Sequence, residues 1–361
     1  MNALTQRSHF DNKRMLWLEV TNFCNLACAH CYNSSGSHES LTPSVTPERY
    51  EQILDEASQL GFRGVQFIGG EPLFYPHLQR LVDRAIDLGF GYVEIYSNLT
   101  VLPPWLLEPR YKAVSLATSF YSDDPKIHDA ICGAERSFER TVQSIRRVID
   151  AGYRLRVGFI DMERNKGGFE RTRAFLEGLG VADVGRDSVR RFGRAGSGAA
   201  PSLSQLCGRC GNGNLSIAVD GNVSACIMSK PWAFGNIREG SLAAIFESSE
   251  RRRFVDDLHS LRRRIEPSSC DPDCRPVTEC NPNCAPSTDC HPNGSGIERE
   301  ERELEREIEE EACGPDCRPV TECNPNCQPS VDCVPTRRVI EREVEEIEKE
   351  VRREVRELEK K

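Results

Sequence analysis

No apolar run in this 361-residue chain approaches the roughly 18 residues that a membrane-spanning helix requires. The first six residues are too polar for a secretory signal peptide. Acidic residues outnumber basic ones, 56 to 47, and the net charge of −9 argues against nucleic acid as a main partner, because phosphate binding needs a basic surface. These absences predict a cytoplasmic protein that binds neither membranes nor nucleic acid.

Cysteine, by contrast, is abundant, with 17 residues in the chain. Without a secretion signal this number indicates metal binding rather than disulfides, because the cytoplasm keeps thiols reduced. An oxidised, secreted protein is the competing interpretation, and the lack of an export segment argues against it. The cysteines form five groups: Cys24, Cys28 and Cys31; Cys132 alone; Cys207, Cys210 and Cys226; five over residues 270–290; and five over residues 313–333.

The first group has the spacing Cx3Cx2C and follows an apolar run over residues 15–20. Three thiolates this close along the chain can face one metal centre. An iron–sulfur cubane normally takes four thiolates, so three leave one iron without a protein ligand, an open position of the kind that catalytic metal sites keep. Taken alone, the triplet also fits a zinc site or a disulfide pair.

A glycine-rich turn follows a short apolar strand over residues 65–68. It reads Gly69, Gly70, Glu71, Pro72. Glycine lets the backbone approach a ligand closely, and the glutamate can accept hydrogen bonds from an ammonium group. A purely structural turn beside a structural metal loop is the competing interpretation.

The two motifs together resemble those of the radical S-adenosylmethionine (SAM) enzymes, in which the cysteine loop follows strand one and a GGE-type turn follows strand two. The resemblance implies that Cys24, Cys28 and Cys31 bind a [4Fe-4S] cluster and that SAM chelates the fourth iron. It also implies that residues 69–72 hold the methionine end of SAM.

Strands and helices alternate along the first half of the chain. Thr46 followed by Pro47 predicts a helix start, and Gly61 predicts its end. Apolar patterns predict strands over residues 15–21, 65–68, 92–96, 113–117, 155–160 and 188–192, and helices over residues 47–60, 78–88, 138–151 and 169–179. This order predicts a parallel α/β sheet. Six such units resemble the partial (β/α)6, TIM-like barrel of radical SAM enzymes, whose site lies at the carboxyl ends of the strands.

Further SAM contacts are expected at those strand ends. Ser97 and Asn98 leave the third strand, where family members often place polar side chains against the ribose or the carboxylate of SAM. Ser115 lies in a strand that resembles one of the peptide-modifying relatives, and Arg156 on the fifth strand is suited to the SAM carboxylate. A solvated loop or strand end is the alternative for each of these residues.

The second cysteine module begins after a glycine-rich segment, residues 193–198, which predicts a flexible linker. Cys207, Cys210, Gly221 and Cys226 match the opening of the SPASM domain, an auxiliary-cluster module of many radical SAM enzymes, and residues 215–223 predict a hairpin. By resemblance, one auxiliary cluster takes Cys207, Cys210, Cys226 and Cys284, and a second takes Cys270, Cys274, Cys280 and Cys290. The first gap of the second set has one residue more than the SPASM pattern, and a zinc-bound tail is the alternative.

The carboxyl-terminal tail repeats itself. The cysteines over residues 313–333 nearly copy those over residues 270–290. The segments on either side of the copy, residues 297–312 and 340–358, are rich in Glu and Arg and carry a thin stripe of apolar residues at helical spacing. Such a stripe favours a coiled coil and hence self-association, and a solvated helix is the alternative. The predicted organisation is an amino-terminal arm (1–14), a barrel (15–196), a SPASM-like domain (197–292) and a charged helical tail (293–361).

The resemblance implies an enzyme that uses a 5′-deoxyadenosyl radical to take a hydrogen atom from its substrate, with electrons from an external one-electron reductant. SPASM-bearing relatives commonly modify ribosomally made peptides, so the predicted substrate is a peptide that is crosslinked or epimerised. One alternative is a radical SAM dehydrogenase or epimerase of a sugar or aminocyclitol. Another, from a different class, is an iron–sulfur protein of electron transfer or cluster assembly.

Truncation after Ser295 tests which cysteine block is used. Residues 1–290 already contain the barrel, the SAM motifs and eleven motif thiols. The shortened protein should therefore stay soluble, keep its iron and still cleave SAM to 5′-deoxyadenosine. A loss of about four irons per chain, the content of one cubane, would instead show that the later block supplies the ligands.

Overall fold

The structure, a computed structural model, describes residues 14–207, 210 and 213–265, with the backbone alone over residues 262–265. The predicted amino-terminal arm before residue 14, the cysteine block over residues 270–290 and the predicted charged tail over residues 293–361 lie outside these residues. Within the described ranges, no helix is both long enough and apolar enough to cross a bilayer.

Six parallel strands form the main part of the sheet and pair in chain order. They are β1 (Met15–Glu19), β2 (Gly64–Ile68), β3 (Tyr92–Tyr96), β4 (Ser115–Ser119), β5 (Leu155–Asp161) and β6 (Asp183–Ser188). β6 ends the sheet on one side without pairing to β1. The predicted partial (β/α)6 barrel is therefore confirmed, and it is unclosed.

Helices cover the outer face of these strands. They are α1 (Pro47–Gln59), α2 (Leu78–Asp87), α3 (Pro125–Cys132), α4 (Ser137–Asp150) and α5 (Phe169–Gly178), and β3 leads to β4 through two short 3-10 turns, Pro104–Leu107 and Pro109–Tyr111. α1 begins where predicted, because the Thr46 side chain accepts the amide of Arg49 and proline occupies the first turn.

Alternation along the strands separates the core from the interior of the barrel. Leu18 and Ile95 are fully buried among the apolar residues that face the helices. Their neighbours Trp17 and Tyr96, together with Gln66, line the interior cavity instead. Because successive side chains of a strand point to opposite faces, one set of strands provides both the core and the site.

Three predicted strands differ from the observed ones. β1 ends at Glu19, two residues before the predicted end. β4 starts two residues later than expected, and β6 occupies residues 183–188 rather than 188–192. The residues of β6 are almost all exposed, so no apolar run marks this edge strand. The apolar Phe192 that suggested a strand is buried in the loop that follows.

α3 has no counterpart among the predicted helices. It is only eight residues long, and it begins at Asp124, whose side chain accepts the amide of Lys126, with Pro125 next. This is the same combination of cap and proline that marks Thr46 and Pro47. The signal for α3 was therefore present in the sequence.

The second module continues the barrel sheet. Its strands β7 (Leu215–Ile217) and β8 (Asn222–Ser224) form the predicted hairpin, and β9 (Gly235–Asn236) pairs with β8. β7 pairs in parallel with β1, so the described strands form one nine-stranded sheet. Two further helices, α6 (Leu242–Phe246) and α7 (Ser249–Ile265), follow the strands.

Replacing Leu54 by Ala tests the packing of α1. This side chain is fully buried in the core, and truncating a buried leucine typically costs about 2–5 kcal/mol. Leu41, which is 39% exposed, provides the control, and Leu41→Ala should change the unfolding free energy by no more than about 0.5 kcal/mol. Urea denaturation measures both changes. Equal effects would contradict the described core.

Candidate functional site

The three thiols of the first cysteine motif line one cavity of about 520 Å³. Cys24 is buried, and Cys28 and Cys31 are half-buried. The walls also include the residues at or next to the carboxyl ends of five strands, namely Ile68, Tyr96, Ser119, Ile160 and Ser188. The cavity thus lies at the edge of the sheet where parallel α/β proteins place their sites.

The cysteine loop, residues 20–36, contains no regular helix or strand. Its middle is supported by the end of α3. The amide of Ala27 donates to the carbonyl of Cys132 over 3.0 Å. The amide of Ala29 donates to the carbonyl of Ile131, also over 3.0 Å. A helix absent from the sequence predictions therefore supports the loop.

The glycine turn lies directly against the cysteine loop. The amide of Gly70 donates to the carbonyl of Thr21 over 2.6 Å, and the amide of Glu71 donates to the carbonyl of Phe23 over 2.7 Å. A Cβ atom would lie 2.3 Å from the Thr21 oxygen at Gly69 and 2.0 Å from the Phe23 oxygen at Gly70. The approach of the cysteine loop is therefore sufficient to require glycine at both positions, although both also line the cavity.

Glu71 is fully buried, and it is not among the residues that line the cavity. One carboxylate oxygen accepts the amide of Leu73 at 3.0 Å and the hydroxyl of Ser97 at 2.7 Å. The other accepts the amide of Asn98 at 2.7 Å. Burial raises the pKa of this carboxyl to about 7, although the three donors work to lower it. The carboxylate joins the glycine turn to the end of β3.

Asn98 extends this connection to the first cysteine. Its side-chain amide donates to the side-chain oxygen of Asn25 over 2.9 Å and lies 3.8 Å from the sulfur of Cys24. Asn98 and Ser97 both line the cavity. The two residues therefore lie at the cavity with the buried Glu71 next to them, and their contact with SAM stays a prediction.

Arg156 lines the cavity but has a partner within the protein. Its guanidinium forms two hydrogen bonds of 2.8 Å to the carboxylate of Glu94, which is fully buried. Burial works to lower the pKa of Arg156, but the charge of Glu94 outweighs it and the pKa is raised. The guanidinium also lies over the ring of Tyr96, 5.3 Å from its centroid. The fork expected to bind the SAM carboxylate is thus occupied by Glu94.

Two other predicted contacts lie away from the cavity. Ser115 starts β4, at the end of the strand opposite the site, and Pro72 is buried in a short turn. Neither residue lines the cavity. Ser119, which ends the same strand, does line it, and its hydroxyl lies 2.9 Å from that of Tyr96. Ser115 was expected from the resemblance of its strand to one in peptide-modifying relatives, whereas Ser119 is the serine at the carboxyl end of β4.

Two thiols of the first cysteine motif, those of Cys24 and Cys28, have raised pKa values. Burial, and secondly the charge of Glu71, raises the pKa of Cys24 to about 12. A hydrogen bond to the thiol of Cys132, and then burial, raises the pKa of Cys28. Ligation must therefore displace protons from these sulfurs.

The donor set fits an iron–sulfur cluster. Three soft thiolates on one wall suit iron–sulfur or zinc chemistry. Among the described residues, however, no three His, Cys, Asp or Glu side chains are arranged to hold a single metal ion. A cubane binds each of its thiolates to a different iron, so a cluster does not require the three sulfurs to share one metal ion.

The second cysteine group lies beside the hairpin of β7 and β8. The sulfurs of Cys210 and Cys226 are 3.5 Å apart, and the thiol of Cys207 is hydrogen-bonded to Cys210. The hydrogen bond from Cys210 lowers the pKa of Cys226 to about 7. The three expected ligands are thus adjacent, and the remaining ones, Cys270, Cys274, Cys280, Cys284 and Cys290, lie outside the described residues.

A buried polar cluster connects the second module to the cysteine loop. The ammonium group of Lys230 contacts the carboxylate of Glu19 at the end of β1. The hydroxyl of Tyr32, next to Cys31, donates to the same carboxylate over 3.1 Å. Burial raises the pKa of Glu19, and Lys230 opposes the shift. The two cysteine groups therefore share one hydrogen-bonded support.

The sequence predicted no role for several residues that line the cavity. Tyr96, Ser119 and Arg194 line the cavity, as does Cys132, which the sequence showed only as an isolated cysteine. Tyr96 and Ser119 end strands, so their positions carried the same signal as Ser97. Arg194 lies in the glycine-rich segment that predicted a linker, and no local pattern distinguishes it.

Sequence profiles identify the two parts of the chain. Residues 18–166 match the radical SAM superfamily, and residues 207–275 match the SPASM iron–sulfur cluster-binding domain. The chain therefore contains a radical SAM domain followed by a SPASM domain. The radical SAM domain implies a [4Fe-4S] cluster and SAM as cofactors, and the SPASM domain implies auxiliary iron–sulfur clusters.

Among proteins of known role, the chain is 25% identical over 265 residues to the antilisterial bacteriocin subtilosin biosynthesis protein AlbA of Bacillus subtilis (strain 168). The match covers 64% of this chain and 58% of AlbA, so the chain spans somewhat over half of that relative.

Solved structures share the fold. Streptococcus suis SuiB bound to S-adenosylmethionine matches with a TM-score of 0.54 at 14% identity, covering 68% of each chain. Native anSMEcpe with bound AdoMet and the Cp18Cys peptide matches with a TM-score of 0.55 at 12% identity, covering 68% of this chain and 83% of that one.

The raised pKa of Glu71 gives a pH-dependent prediction. The folded protein holds this proton up to about pH 7, whereas the unfolded chain releases it near its ordinary pKa of about 4.3. Folded protein therefore binds more protons between these values, and the contribution of Glu71 to stability falls as the pH rises through this window. Glu71→Gln removes the titration.

Urea denaturation of iron-free protein between pH 4 and pH 8 measures this effect. The unfolding free energy of the wild type should fall relative to that of Glu71→Gln, by up to about 4 kcal/mol at about 1.36 kcal/mol per pKa unit. Glu163, whose side chain is 86% exposed, provides the control, since Glu163→Gln should follow the wild-type profile. Parallel profiles for the wild type and Glu71→Gln would contradict the assignment.

Proposed function

We propose that this protein is a radical SAM enzyme that modifies a peptide, by crosslinking it or by inverting a stereocentre. The observation that carries the proposal is the convergence of three thiols, the glycine turn and the polar end of β3 on one cavity. An electron-transfer protein needs the thiols, but it has no need of a cavity of about 520 Å³ beside them.

Cys24, Cys28 and Cys31 are the proposed ligands of the SAM-binding cluster, with Cys207, Cys210 and Cys226 holding an auxiliary cluster. When bound and reduced by an external one-electron donor, the cluster and SAM supply a 5′-deoxyadenosyl radical that removes a hydrogen atom from an unactivated carbon. The chain contributes binding, orientation and the exclusion of water, which is the usual division of work with a reactive cofactor.

Asn98 holds the first ligand in position through its contact with the sulfur of Cys24. Glu71 accepts the backbone amide of Asn98 and does not line the cavity, so it acts on the site through Asn98. Gly69 and Gly70 lie in the wall of the cavity, where we expect the methionine end of SAM to bind. Apolar neighbours such as Leu26 and Phe159 line the same cavity and limit the access of water.

A peptide fits the open side of the barrel. Residues 185–190, at and after the end of β6, line the cavity, and β6 is an exposed edge of the sheet. An extended segment can therefore enter beside β6 without passing through a closed ring of strands. AlbA takes part in bacteriocin biosynthesis, and SuiB has been solved with its precursor peptide SuiA, which supports the same class of substrate here.

Alanine replacement of Cys24, Cys28 and Cys31 together tests the assignment. The variant should lose the cleavage of SAM to 5′-deoxyadenosine under reducing conditions, because Cys132, the other described thiol that lines the cavity, cannot replace three ligands. Iron at the second cysteine group should remain, since its ligands lie in a separate module. Product analysis and iron counts on the full-length protein measure both.

The matched control removes three thiols from the distal block, at Cys313, Cys317 and Cys323, and should keep the activity. Full SAM cleavage by the first variant would overturn the site. Absence of SAM cleavage by the wild type, with its iron present and reduced, would favour the electron-transfer alternative. Deuterium transfer from a labelled peptide into 5′-deoxyadenosine would identify the substrate class.

A further inference from the structure

The segment predicted as a linker is an ordered turn, Gly193–Gly196, that contacts the cysteine loop. The amide of Arg194 donates to the carbonyl of Cys31 over 3.0 Å. Its side-chain Nε donates to the carbonyl of Cys28, and Nη1 donates to the carbonyl of Ser35, each over 2.7 Å. One residue therefore binds three backbone carbonyls of the loop, two of them on ligand cysteines.

This pattern depends on the shape of the arginine side chain. The guanidinium is planar and presents its donors in a fixed fork, so it can hold two carbonyls at once with a defined separation. A lysine ammonium is a point charge and lacks this geometry. Because the cysteine loop has no regular secondary structure, such external contacts decide its conformation.

Gly193 brings the turn close enough for these contacts. Its φ is +55°, and a Cβ atom there would lie 2.4 Å from the carbonyl oxygens of Cys31 and Tyr32. Gly198 is also left-handed, with φ of +85°, but it has no atom within 4 Å of the corresponding position. Alanine at Gly198 therefore carries only backbone strain, whereas alanine at Gly193 also forces the turn away from the loop.

The charge of Arg194 is unusual for this cavity. Three other arginines line it, and each has a carboxylate partner: Arg156 with Glu94, Arg186 with Asp161, and Arg190 with Asp187. In the described part of the chain, no carboxylate forms an ion pair with Arg194. A net positive charge therefore remains beside the carbonyls of the cysteine ligands.

We infer that Gly193 and Arg194 form a clamp that positions the cysteine loop, and that the guanidinium charge raises the reduction potential of the cluster held there. The inference rests on the proposed function for the cluster, and its first part concerns the loop even without metal. Arg194 is a positioning residue, since it acts through the backbone of the ligand loop.

Hydrogen exchange on the iron-free, full-length protein tests the clamp. The amides of Ala27, Ala29 and Cys31 should exchange about tenfold faster in Gly193→Ala and in Arg194→Lys, as expected when a pair of ordinary hydrogen bonds is lost. Gly198→Ala and Arg191→Lys are the matched controls, because Arg191 is exposed. Amides of α2 report on global folding. Equal exchange in Gly193→Ala and Gly198→Ala, with loop exchange unchanged in Arg194→Lys, would overturn the clamp.

A redox titration of the reconstituted protein, followed by electron paramagnetic resonance, tests the charge. Arg194→Gln should shift the midpoint potential of the SAM-binding cluster to more negative values, because a nearby positive charge favours the more anionic reduced cluster. Arg194→Lys keeps the charge and should stay closer to the wild type, and Arg191→Gln should not shift it. An unchanged potential in Arg194→Gln would overturn this part. If no cluster forms on the wild-type loop, the proposed function fails, while the exchange experiment still decides the clamp.

Discussion

The close approach of two backbone segments determines the geometry of the site. The glycine turn donates amides to the carbonyls of Thr21 and Phe23 at distances that leave no room for side chains at Gly69 and Gly70. This contact fixes where the cysteine loop begins, and α3 and the turn around Arg194 fix its middle and its end. A loop without regular secondary structure is thereby held by three neighbours, which is how an irregular segment can present ligands in a defined arrangement.

The two cysteine groups are mechanically connected. β7 pairs with β1, the strand that leads into the cysteine loop, so the second module extends the barrel sheet. Across this junction Lys230 contacts the buried Glu19, and Tyr32 donates to the same carboxylate. A buried charge is costly unless it is paired, so removal of Lys230 would disturb the loop beside Cys31 as well as the second module. The two cysteine groups are thus coupled through the structure.

Local patterns in the sequence were sufficient for most of the strands and for some of the residues that line the cavity. Buried strands such as β2 show apolar runs, and Cys24, Ser97 and Asn98 follow strands whose ends must share one edge. β6 was misplaced because its residues are exposed, and its position depends on pairing with β5. The contacts of Arg194 with the cysteine loop could not be predicted either, because a glycine-rich segment gives no indication of what it contacts. Tertiary contact, rather than local propensity, decides both cases.

The interior of this unclosed barrel contains polar side chains at positions where a closed barrel has apolar ones. Closed barrels fill their interior with layers of apolar side chains. Here polar residues, Arg156 and Gln66, line the cavity instead. Both donate to the carboxylate of Glu94, which is fully buried. Loss of Arg156 would leave that carboxylate without its charged partner, which typically costs about 3–5 kcal/mol. Loss of activity in an Arg156 variant would therefore be explained by loss of this buried ion pair alone. A direct contact with SAM would require Arg156 to break its hydrogen bonds to Glu94.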